Sequence, residues 1–539
     1  MTVNIWYDKI IIVKLYKQYN IFVWEKEGIN MISRINNFKK FLVYMFCAFF
    51  SVCFSYLLVN ILFNNAEYNY KKLGLSFYIF AAVYLLTYAY IRLRKIEEFL
   101  TRHYKKNLLS FLCIMFIVQM SFGLFLRFKP DFDIEAVYQG AIEWVQTGTF
   151  AKYYDYYYHF PNNLGAMTFL HFFFSIASFL GFEDYFLVGM IVNSILSILT
   201  MMVVSLILKH ISGAKQAVFA LVIFAVYLPF YFIAPVFYTD SLSMLFPVLF
   251  YYLYLKLKDT SYNKKFFLIC ILMGLAASIG MKIKFTVVIM VIAVAIDMFI
   301  NSNWKKAISA NAVVCSVILI CFAVFNVYIY SYHLDRERAR QDNDPYVHWV
   351  MMGLKGSGGY NPDDYLFTRS FKDPDERKAA IIQEIKRRIS EYGPDGMFKF
   401  LTKKSVKCFG DGTFGLDDFL ADREDKNVLH SFVISEGDKY ELYRHICEAI
   451  LFTLMLFMVL LALKYFFSKE KNIYLAPLVA VFGIFLFLLG WEANRRYFTN
   501  FVPVIIVCAV LGIDYFQLLV KKIWYIGFKD CEKKLGCII

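Results

Sequence analysis

Thirteen long apolar runs constrain this 539-residue chain more than any other feature: about 41–63, 74–91, 108–127, 163–181, 185–208, 216–236, 240–257, 266–281, 285–300, 307–331, 446–467, 473–490 and 498–520. A helix needs about 17–25 apolar residues to cross a hydrocarbon core of about 30 Å. In that core each backbone N–H and C=O must be satisfied within the protein, which favours helices. The runs therefore predict an all-α polytopic membrane protein of about 12–13 transmembrane helices. With 59% apolar and 19% charged residues, a soluble globular domain, a disordered chain and a disulfide scaffold are excluded. A net charge of +14 would suggest nucleic acid in a soluble protein. Here the excess Lys and Arg marks cytoplasmic loops, so the expected partner is the lipid bilayer and not nucleic acid. Most of the 11 cysteines lie inside apolar runs without a CxxC pair, as small apolar fillers do.

The chain divides into an N-terminal cytoplasmic extension (1–40), a transmembrane module (41–331) with an external loop at 128–162, an extracytoplasmic domain (332–445), C-terminal transmembrane helices (446–520) and a basic cytoplasmic tail (521–539). The extension lacks the layout of a signal peptide, and Met31 reads as a more natural cytoplasmic start, leaving 1–30 as a flexible or amphipathic addition. Basic loops at 92–106, 256–265, 305–306 and 464–471 orient the chain. They all fall inside if 163–181 is re-entrant or surface-lying and the other runs cross; thirteen crossings with weaker charge asymmetry is the rival. On the first topology residue 183 is external and residue 210 cytoplasmic. Lys282, Lys284, Arg495 and Arg496 then stand on the outer face against the positive-inside tendency, which marks them as functional candidates. In 332–445, Asp373, Pro374 and Glu376 signal a helix start and Gly393-Pro394 its end, so this small mixed domain should be mostly helix and loop.

Chemistry concentrates on the external side. Lys129-Pro130-Asp131-Phe132-Asp133-Ile134-Glu135 places three carboxylates just past a membrane exit, where acids also favour a helix start. Ala141, Thr147 and Gly148 follow Asp133 at plus eight, plus fourteen and plus fifteen. With them go the aromatic stretch Tyr156-Tyr157-Tyr158-His159-Phe160-Pro161, which also suits an interfacial belt, and Tyr238-Thr239-Asp240, which also suits a helix cap. Further on are Gly280-Met281-Lys282-Ile283-Lys284, then His348-Trp349 with Gly359-Tyr360, and Trp491-Glu492-Ala493-Asn494-Arg495-Arg496-Tyr497. The last also reads as cations snorkelling among headgroups.

Taken in order, these motifs over about residues 108–520 resemble the GT-C membrane glycosyltransferases, of the protein O-mannosyltransferase and aminoarabinose transferase type in a Gram-positive-like variant. Tyr138 stands one residue late against that pattern, His159-Phe160-Pro161 replaces Glu-Lys-Pro, and Phe285 replaces a Pro.

The resemblance implies a GT-C-like helical bundle in the cell membrane with its active site on the extracytoplasmic face. It implies transfer of a sugar, with inversion, from a polyprenyl-phosphate donor to an extracytoplasmic acceptor: an envelope polymer, lipid or protein. A carboxylate base takes the acceptor proton and cations receive the departing phosphate. It assigns the base to Asp133 or Asp131. Donor and phosphate binding fall to Lys284, Lys282, Arg496, Arg495, Tyr497, Glu492, Asp240, His159 and Tyr158. Asp131, Asp133, Asp240 and His159 leave a divalent metal open. The rival of another class is a transporter or flippase for a lipid-linked glycan, which calls for charged or broken helices at mid-membrane. A polysaccharide polymerase or ligase is a third option.

Overall fold

The computed structural model describes residues 37–63, 72–420, 427–467 and 473–535. Most of the extension 1–40, with Met31, and the last residues of the tail lie outside them. The described chain is helical, with no strand among the described residues, and the protein is an all-α polytopic membrane protein. Among the described residues, eight helices are long and apolar enough to cross a membrane: Asn37–Phe63, Gly74–Lys95, Glu97–Phe125, Tyr185–Ser212, Lys264–Ile283, Trp304–Tyr332, Tyr440–Phe467 and Thr499–Lys522. The other five apolar runs are also helical but shorter: Leu164–Phe179, Ala214–Val226, Leu245–Lys258, Val288–Asn301 and Ala476–Gly490.

Tyr440–Phe467 and Thr499–Lys522 are buried over most of their apolar windows, whereas only 11% of that window is buried in Trp304–Tyr332. The first two form the core of the bundle. The third turns Leu319, Ile320, Val324 and Val327 outward. In water such a face would cost roughly 25 cal/mol per Å² of apolar surface; against lipid it costs nothing comparable.

The run at 216–257 is the least regular. Ala214–Val226 and Leu245–Lys258 have 13 and 14 residues. At 1.5 Å per residue each spans about 20 Å, short of the core thickness. Between them 227–244 is broken by Pro229, Pro235 and a short turn of helix at Thr239–Leu242, and nearly all of it is buried. Irregular backbone survives at membrane depth only if the protein pairs its polar groups. Asn193 donates to the carbonyls of Ile233, Ala234 and Val236 at 2.8, 3.2 and 3.1 Å. Gln119 donates to Phe230 at 2.7 Å, and Ser241 both accepts from the Tyr238 N–H and donates to the Val236 carbonyl. Each such carbonyl left bare would cost about 2–7 kcal/mol.

The region 332–445 has the expected helix start: Asp373 accepts from the Asp375 and Glu376 N–H groups, and Pro374 occupies the first turn. Gly393 breaks that helix, at φ 59° and ψ 178°, and a second helix runs on to Gly410. Only glycine adopts that backbone without strain. The second helix does not stand off from the bundle: all of residues 404–417 but the half-buried Lys407 are buried, and Phe409 packs on Phe54, Phe485 and Phe498. Cys408 is buried in this helix.

Candidate active site

The chain leaves the helix Glu97–Phe125, extends over 126–131 and enters the helix Phe132–Thr147, which ends on left-handed Gly148. Asp131 is the extended N-cap, and Asp133 sits in the first turn. Phe132 between them has φ +44° and is 86% exposed, a strained setting for a bulky residue. Asp133 accepts from the Tyr156 phenol at 2.7 Å and, in a longer contact of 3.4 Å, from Tyr238. Burial, and after it the Asp133 charge, push the Tyr156 phenol well up, so it remains a donor. Asn163 donates to the Tyr156 oxygen at 2.5 Å and stands 3.5 Å from the Tyr238 phenol, closing a small ring around the carboxylate.

Tyr238 links this carboxylate to the broken segment. Two residues on, buried Asp240 is bonded by Lys284 on one oxygen and by Arg496, at 2.9 Å, on the other. Lys284 is available because its helix ends at Ile283 and the chain turns extended there, at φ −149° and ψ 116°. Gly165 lets the helix Leu164–Phe179 approach this turn, since a Cβ there would collide with the Lys282 carbonyl. The Arg496 guanidinium lies 5.0–5.2 Å from the ring centres of Tyr238, Tyr497 and Phe419, and Lys284 lies 4.9 Å from Tyr497. Glu492 is 6% exposed, and burial raises its carboxyl to about 6 against the lowering effect of Arg496 and Tyr497. Among the candidate residues, Asp133, Asp240, Lys284, Glu492, Arg496 and Tyr497 thus converge on one site.

The sequence model of the family described as "conserved hypothetical integral membrane protein" matches residues 31–516, and every residue of this convergence lies within it. The chain belongs to that family. No curated protein matches the sequence.

In this family member four candidates stand elsewhere. Lys282 turns to the helix Trp304–Tyr332, where it donates to Asn326 at 3.1 Å and lies 4.1 Å from the rings of Phe322 and Phe325. Lys284 lies past the helix end, on extended backbone, so it turns to Asp240 while Lys282, still in the helix, turns to Asn326. Arg495 points away from Arg496 and donates to Asp411, Asp417 and Asp418. Tyr158 accepts from the Asp335 N–H, and His159 faces Asp344 at 3.7 Å, both tying the loop at 128–162 to the region after 332. His159 is therefore separated from the Asp133–Asp240 group, and no cluster of three or more His, Cys, Asp or Glu among the described residues is arranged as a metal site. The metal set of Asp131, Asp133, Asp240 and His159 is not assembled.

Several residues that build the site were not among the candidates the sequence offered. Asn163 and Asn500 are buried, the latter donating to Ser243 at 3.1 Å and Thr286 at 3.2 Å and so joining three segments. Lys404 is 1% exposed and donates to the carbonyls of Gly353, Leu489 and Trp491, fixing the turn that leads to Glu492. Burial lowers its pKa to about 8. Gln119 and Asn193 had a readable signal, since amides inside apolar runs are costly unless used.

Proposed function

We propose that the protein is a GT-C-like glycosyltransferase that takes a sugar from a polyprenyl-phosphate donor and passes it to an acceptor outside the cytoplasm. One observation carries this reading: a carboxylate with a proton-accepting oxygen, Asp133, is joined through Tyr238 to two cations held on one carboxylate, Asp240. Asp133 takes the proton from an acceptor hydroxyl as its oxygen attacks the anomeric carbon. The bond from that carbon to the phosphate oxygen breaks, and polyprenyl phosphate leaves with the electron pair. Arg496 and Lys284 receive the added negative charge; a guanidinium suits a phosphate oxyanion, and the surrounding rings limit water around it. Single displacement inverts the anomeric configuration. Tyr156 and Asn163 hold the Asp133 carboxylate in one orientation.

The test is transfer in vitro from a polyprenyl-phosphate sugar by purified protein in nanodiscs, scored by release of polyprenyl phosphate. No release from any such donor removes the reading. Its sidedness is tested separately, by cysteine labelling in a cysteine-free background. Position 183 should label from outside and position 210 only after permeabilisation, and the reverse would put the site on the cytoplasmic face.

The broken segment 227–244 between two short helices favours a second reading, a transporter for a lipid-linked glycan, because interrupted helices are what transporters place at their binding sites. Movement of such a lipid across proteoliposomes that persists in Asp133→Asn, without polyprenyl phosphate release by the wild type, would favour it.

A further inference from the structure

Beside the Asp133 site lies a second group of side chains that the transfer chemistry does not use. Phe160 packs on Tyr156, the Asp133 partner, with ring centres 5.1 Å apart, and reaches Trp349 at 6.5 Å. Trp349 stacks on Trp491 at 5.5 Å and 10°, and Tyr346 lies 6.4 Å from both. These rings form a shelf running from the base to the residue before Glu492. Trp349 and Trp491 are half-buried, and Tyr346 is 76% exposed.

The polar side of the shelf has unused bonding capacity. Asp344 is 2% exposed, yet neither carboxylate oxygen accepts a hydrogen bond. The His159 Nδ1 and an Arg369 terminal nitrogen stand off from it at 3.7 and 3.5 Å. The Arg369 Nε and the His159 Nδ1 are without hydrogen bonds as well, while the Arg369 guanidinium lies 5.4 Å from the Phe160 ring. Buried polar atoms are almost always bonded, so enclosed acceptor and donor atoms left unbonded next to half-covered rings suit a ligand with hydroxyls along its edge and an apolar face. A pyranose has both: its C–H face lies on an aromatic ring while its hydroxyls donate to a carboxylate and accept from a guanidinium.

We infer that the shelf of Phe160, Trp349, Trp491 and Tyr346, with Asp344, His159 and Arg369 at its edge, binds a pyranose ring of the acceptor, so that the acceptor is a carbohydrate. As an acceptor subsite it rests on the transferase reading; as a saccharide site it does not. A prenyl tail would be matched by aliphatic lining, whereas this shelf is aromatic with charged groups beside it.

Binding is read without donor or turnover, so its failure and that of the transferase reading are separable. Saturation-transfer-difference NMR on the full chain in nanodiscs uses the methyl glycosides of glucose, galactose, mannose and N-acetylglucosamine, with a serine-containing tripeptide amide for comparison. At least one glycoside should bind saturably. Tyr346→Ala, at an exposed position that cannot collapse a core, and Trp349→Ala should each weaken it about tenfold, the loss expected of one aromatic contact. Trp349→Phe should recover part of it. No saturable glycoside, binding indifferent to both shelf variants, or saturable binding of the tripeptide alone would each overturn the inference.

Discussion

Arg495 donates to Asp411, Asp417 and Asp418, whereas Arg496, one residue on, donates to Asp240 and otherwise lies among the rings of Tyr238, Phe419 and Tyr497. The first region surrounds one cation with several carboxylates. Both terminal nitrogens of its guanidinium are engaged, and burial raises Asp417 to about 6 even so. The second sets two cations, Lys284 and Arg496, on one carboxylate. Two cations on one carboxylate leave positive charge that an anionic ligand can use, while in the first region three carboxylates outweigh one cation. Adjacent residues of the same type can therefore do different work, one holding 411–418 against the bundle and one facing the site.

The comparison breaks most sharply at the base. Asp133→Asn keeps the shape of the side chain and the Tyr156 contact but cannot take a proton, so transfer should fall by about 10³-fold with the protein still folded. Unchanged turnover, with Asp131→Asn inactive instead, would shift the base two residues upstream. Next comes Arg496→Ala, expected to lower turnover about 100-fold, the usual loss for one donor at a developing oxyanion. Arg496→Lys should fall between that and wild type, since an ammonium lacks the fork. Wild-type turnover in Arg496→Ala would leave Arg496 as a headgroup anchor.

Arg495→Ala should do the reverse and cost stability first. It leaves Asp411, Asp417 and Asp418 without their cation, at about 3 kcal/mol, read as a lower melting temperature in nanodiscs. Loss of turnover without loss of stability would exchange the roles of the two arginines. The smallest effect is at Glu492. Its ordinary carboxyl pKa of 4.5 is raised to about 6 in the folded protein, so ionisation opposes folding. Its contribution is intact below about pH 4.5 and is lost as pH rises through about 6, by about 2 kcal/mol in all. Glu492→Gln should therefore melt higher relative to wild type at pH 7.5 than at pH 4.5. Asp417 titrates in the same range, but it is present in both proteins and cancels. A pH-independent difference would mean that Glu492 is not raised.

Much of the fold was legible because it is local. The thirteen apolar runs, the Asp373-Pro374 helix start and the break at Gly393 each depend on a few neighbouring residues. The candidate site was legible only as a set of residues on one presumed side. Choosing Lys284 over Lys282 depends on where the helix ends, and choosing Arg496 over Arg495 on which segments pack around the turn at 491–498. His159 looked equivalent to its tyrosine neighbours until Asp344, 185 positions away, was seen to face it.

The sequence by itself determined that this chain lives in a bilayer as helices, because the cost of unpaired backbone in hydrocarbon leaves little else for runs so long and apolar. It also determined which polar residues stand out, because in so apolar a chain each one is expensive to bury. Only the tertiary structure decided which of them meet. Asp133, Asp240, Lys284 and Arg496 come from four separate stretches, and their pairing depends on the broken segment 227–244 being held by Asn193 and Gln119 from other helices. Contacts between distant segments have no periodicity along the chain, so packing alone could select them.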